Sequence, residues 1–111
     1  MFEIKTKAVN AETYIPEGFK DSGVEFDIEG LSSRAASLTF GLDGGARLER
    51  AFMSGVRAVR GLSINGKEIR SAPEFLAAMT AGTSVELNTL FLLVGARILE
   101  ISRFDEEAEK N

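Results

Sequence analysis

The chain has 111 residues, 44% of them hydrophobic, with no Cys, no His and a formal net charge of −4. That length supports one core in a single domain, residues 1–111, with little room for an elaborate catalytic cleft. The missing thiols and imidazoles exclude disulfides, thiolate catalysis, the common zinc sites and the usual general base, and the acidic balance argues against nucleic acid or anionic lipid as a partner.

Phe2, Ile4, Val9, Tyr14 and Ile15 alternate loosely up to Pro16, which predicts an extended edge segment within residues 1–16. After a turn-rich stretch, Val24-Glu25-Phe26-Asp27-Ile28-Glu29 alternates apolar and acidic residues without a fault, the period-two pattern of a half-buried strand. Residues 31–40 mix Ala, Ser, Leu and Phe and fit a short helix or a strand equally well. Residues 41–45 hold three glycines beside Asp43 but lack the spacing, the Lys and the Ser/Thr of a phosphate-binding loop, so they are expected to be a turn before a helix.

Residues 46–59 place Leu48, Ala51, Phe52, Val56 and Val59 on one face of an amphipathic helix, and Gly55 marks where its far end gives way to strand. Arg47, Arg50, Arg57 and Arg60 then form a local basic face. Asn65-Gly66, between the alternating residues of 62–69, is the strongest short hairpin signal, because both positions accept the positive φ of a tight primed turn. Ser71 and Glu74 form a capping box around Pro73 and open a helix that ends near Gly82. Thr83 and Glu86 repeat the box one helix later.

The final helix is apolar almost all the way round. Leu87, Leu90, Phe91, Val94, Ile98 and Ile101 recur at three- and four-residue steps, and Leu92, Leu93, Ala96 and Leu99 widen that face. Its longest unbroken apolar run, residues 90–96, falls far short of the roughly 20 residues that span a bilayer. One side is expected to enter the core and the other to meet a partner. Strands come early and helices late, so the fold is expected to be α+β, with small N-terminal strands and a hairpin, a mainly helical C-terminal half, and a frayed acidic end at residues 105–111.

Carboxylates are the only catalytic groups left in number. Glu25, Asp27 and Glu29 share a sheet face and could hold a hard cation, but strand alternation already explains all three as a solvent face. No catalytic residue, cofactor or metal is expected.

The Asn-Gly turn, the capped helix pair, the long apolar last helix and the ending Ile-Ser-x-Phe-x-Glu-Glu-Ala-Glu-Lys-Asn at residues 101–111 together resemble the tail assembly chaperones of long-tailed bacteriophages, mainly over residues 59–111. The resemblance implies the short product of a gene whose translation is often frameshifted near its end. Glu109-Lys110-Asn111 can be encoded by a slippery A AAA AAC in the required frame. Its implied partners are the tape measure protein, which it coats and solubilises, the tail tube protein, which it recruits, the longer frameshifted form, and further copies of itself as a homo-oligomer. The implied location is the host cell cytoplasm, with the protein absent from the mature virion. Leu90, Phe91, Leu92, Val94, Arg97, Ile98 and Phe104 are then the expected contact surface, and charge reversal at Arg97 is expected to perturb assembly more than folding. The alternatives are another phage structural or head–tail adaptor protein, assembled through the N-terminal strands, or a small regulatory protein-binding domain that forms a defined heterodimer.

Overall fold

A computed structural model describes the backbone of residues 1–110 and the side chains of residues 1–102. In chain order the elements are β1 (Ala11–Tyr14), β2 (Glu25–Glu29), α1 (Ser33–Thr39), α2 (Gly44–Gly55), β3 (Val56–Arg60), β4 (Ser63–Ile64), β5 (Lys67–Glu68), α3 (Ala72–Ala81) and α4 (Val85–Lys110). The fold is α+β: an antiparallel sheet in the order β1-β2-β3, a separate β4-β5 hairpin, and helices that dominate the C-terminal half.

Register follows from alternation. Phe26 and Ile28 pair with Tyr14 and Glu12 on one side and with Val59 and Val56 on the other, so these residues share the inner face that α4 covers. Glu25, Asp27 and Glu29 point the other way, towards water. The third strand is reached only after α1 and α2, and a register shift between Asp27 and Ile28 marks where the turn out of α2 joins the sheet.

The open segment at residues 31–40 is helical, with the Ser32 hydroxyl accepting the N–H of Ala35 as N-cap. Helix α2 starts at Gly44 and ends at Gly55, so Val56 and Val59, placed by their spacing on a helical face, belong to β3. The hairpin turn has Asn65 at φ 52° and Gly66 at φ 82°, both in the left-handed region that a primed turn demands. Ser71 caps α3 by accepting the N–H of Glu74, with Pro73 in the first turn. The last helix is capped one residue later than its sequence suggests. Ser84, not Thr83, accepts the N–H of Leu87, which places Glu86 outside the reciprocal box but still in the first turn, where its charge favours the helix N-terminus.

Four rings form the centre of the core. Phe52 and Phe75 lie 4.8 Å apart, Phe26 meets both edge-on at 6.3 and 6.0 Å, and Phe91 approaches Phe52 at 5.4 Å. Edge and offset contacts of this kind add to the burial of the rings themselves. Two glycines let the backbones approach. A Cβ on Gly55 would lie 2.6 Å from the Ile98 side chain and 2.8 Å from the Glu29 carbonyl, and one on Gly95 would lie 3.1 Å from a Leu48 methyl. At both places α4 meets the end or the flank of α2 where no side chain intervenes.

Candidate protein-interaction surface

Helix α4 carries two apolar stripes. The inner one, Leu87, Leu90, Val94, Ile98 and Ile101, is buried, each at 8% exposure or less. The outer one runs through Val85, Leu92, Ala96 and Leu99 at seven-, four- and three-residue steps, which keeps them on one side of the helix. Val85 is 83% exposed, Leu92 is 50% exposed, Ala96 is exposed and Leu99 is half-buried.

This division corrects the contact surface expected from sequence. Leu90, Val94 and Ile98 pack against the chain's own sheet and α2, where each contributes about 1.5–3 kcal/mol by leaving water, and they offer nothing to a partner. Phe91 is half-buried, its ring laid against Phe52. Leu92 faces outward. Phe104 lies outside the described side chains. Arg97 is engaged within the chain: its Nε donates to Glu12 Oε1 at 3.0 Å, a second nitrogen lies 2.8 Å from the same oxygen, and a third reaches Glu100 at 3.0 Å. The Glu12 carboxylate raises the guanidinium pKa. Charge reversal here would break a clasp between α4 and the edge strand, so its first effect falls on the fold. Val85 precedes the periodic run, and the seven-residue step to Leu92 is its signal in the sequence.

The arginines form no common basic face. Arg47 turns back on its own loop, donating to the carbonyls of Leu42 at 2.8 Å and Phe40 at 3.2 Å, with its guanidinium 5.7 Å from the Phe40 ring centre. Arg57 pairs with Glu29, and Arg60 with Asp27 and Glu25 across the β2-β3 register. Thr13 donates to the same Asp27 carboxylate at 2.9 Å. Arg60 and Thr13 hold the Asp27 carboxyl below its usual value. The three carboxylates on β2 are thus occupied by guanidinium groups, an arrangement suited to a stable solvent face rather than to gathering a cation.

Two concavities have partly apolar linings. One, of about 340 Å³, lies between the hairpin and the start of α4, with Phe19, Val24, Leu62, Ile64, Leu87 and Leu90 as its apolar wall and Glu86 also lining it. The other, of about 610 Å³, is a groove between α2 and α3 lined by Met53, Leu76 and Pro73, with Glu49 and Arg50 among them. Among the described residues no helix is long and apolar enough to cross a membrane. No protein family, curated protein or solved structure matches the chain.

Proposed function

We propose that this chain is a non-catalytic tail assembly chaperone of a long-tailed bacteriophage, which coats the apolar helical tape measure protein and helps to recruit tail tube subunits to it. The exposed part of the outer stripe of α4, Val85 at 83% and Leu92 at 50% exposure, is the observation that carries this reading. A helix that completes its own core with one side and leaves a second apolar stripe in water has the surface that helix-to-helix docking uses. The resemblance of residues 59–111 to that family supplies the client. On this reading the protein acts in the host cell cytoplasm, beside its own longer form, and leaves before the virion is complete.

Co-expression with a helical tape measure fragment tests the reading. The wild-type chain should keep the fragment soluble and co-purify with it, and Val85→Glu with Leu92→Glu should abolish both effects while the circular dichroism spectrum stays native, since neither side chain belongs to the core. A fragment that remains insoluble with the wild-type chain, or one rescued equally by the double variant, contradicts it.

A further inference from the structure

The first residues of the chain are a second unsatisfied feature. Phe2 is 88% exposed and Ile4 73% exposed, and their i, i+2 spacing puts both on one side of an extended segment. Among the described residues nothing covers them. The pocket between the hairpin and α4 presents the complementary surface, an apolar wall with the Glu86 carboxylate among its lining, and Lys5 follows Ile4 directly. Among the described residues neither Lys5 nor Glu86 is in an ion pair.

We propose that residues 1–5 of one copy dock in the hairpin–α4 pocket of a second copy, Phe2 and Ile4 against its apolar wall and Lys5, on the arm's other side, reaching the exposed Glu86 carboxylate at the rim. The position of the two features argues for a second copy rather than the same one. The arm leaves the sheet at the end where Ala11 pairs with Glu29 and the Asn10 carbonyl accepts the N–H of Gly30. Residues 6–9 then run beside Leu31, Ala36 and Phe40. The pocket lies at the opposite end of β2, beside Val24 and Gly61. For the arm to fill its own pocket, residues 6–9 would have to leave α1 and double back along the sheet. An arm at one end and its receptor at the other make a head-to-tail contact, which propagates into an open chain unless the rotation happens to close a ring. This inference concerns self-association alone and stands or falls without any tape measure fragment.

The absence of Cys makes the test clean. Chains carrying Glu3→Cys are mixed under oxidising conditions with chains carrying Ser63→Cys at the pocket, or Glu49→Cys at the competing α2–α3 groove. The expected result is a mixed disulfide with the Ser63→Cys chain several-fold faster than with the Glu49→Cys chain. Phe2→Glu with Ile4→Glu should weaken self-association of the full chain by at least about tenfold, the scale expected for losing two buried apolar anchors, with its circular dichroism unchanged. Glu86→Lys should weaken it too, and Lys5→Glu should restore it. Equal cross-linking at both positions, unchanged association of the arm variant, or an intramolecular disulfide in a single chain bearing both Glu3→Cys and Ser63→Cys would overturn the proposal.

Discussion

The hydroxyl of Ser102 joins two parts of the chain 71 residues apart, accepting the backbone N–H of Leu31 at 2.7 Å while donating to the carbonyl of Ile98 at 2.6 Å. Leu31 follows β2 at the turn into α1, where its N–H has no ladder partner, and Ser102 is buried there at 7% exposure. Ser102→Ala should therefore cost about 1–3 kcal/mol, the range for leaving a buried donor unmet, and should lower the urea midpoint. Ser102→Thr, which keeps the hydroxyl, should cost less. Equal loss in both variants would indicate packing rather than the hydrogen bond.

Gly55 and Gly95 should differ in their response to the same substitution. A Cβ at Gly55 meets both a backbone carbonyl and the Ile98 side chain at distances no structure tolerates, so Gly55→Ala should destabilise by about 1–3 kcal/mol. A Cβ at Gly95 meets mainly a Leu48 methyl at 3.1 Å, which can shift, and the substitution gains about 1 kcal/mol of helix propensity in the middle of α4. Gly95→Ala should be close to neutral. Thermal denaturation of the two variants side by side checks the contrast.

The clasp between Arg97 and Glu12 is about one-third exposed on both sides, so its contribution is about 1 kcal/mol at most. Arg97→Glu should lose more than that, because it sets a carboxylate against Glu12 and beside Glu100. The exchange Arg97→Glu with Glu12→Arg should recover most of the loss in a double-mutant cycle. Absence of coupling would show that the pair adds nothing to the fold.

Acid should weaken the outer sheet face through Asp27. Its carboxyl pKa is lowered in the folded chain by Arg60 first and by Thr13 next, so the folded state favours the ionised form. The stabilisation is complete above the unfolded value, about 3.9, and disappears as pH falls through the lower folded value. Asp27→Asn should therefore be less stable than the wild-type chain at pH 6, and the gap should narrow on acidification below about pH 4. A gap that widens with acid would contradict the pairing seen here.

Local signals were legible in the sequence. The alternation from Val24 to Glu29, the Asn65-Gly66 turn and the Ser71–Glu74 cap are each written within six residues, and each appears where its spacing puts it. What depends on contacts between distant residues was not legible. The α4 helix is apolar on nearly every side, so composition cannot tell the stripe of Leu90, Val94 and Ile98 from that of Val85 and Leu92; the choice is made by Gly55, Gly95 and the sheet. Arg57 and Arg60 read as a free basic face because their partners lie about 30 residues away across a strand register. Thr83 and Ser84 are adjacent hydroxyls that can both cap a helix, and the reciprocal spacing of Thr83 and Glu86 points to the wrong one; Ser84 accepts the N–H of Leu87.

The most direct measurement is light scattering behind size-exclusion chromatography on the full chain, over a wide concentration range, alone and co-expressed with an apolar helical tape measure fragment. Oligomers that grow with concentration, and a soluble complex holding several copies of the chain per fragment, are the expected result. A strict monomer at every concentration, with the fragment left insoluble, would contradict the chaperone reading.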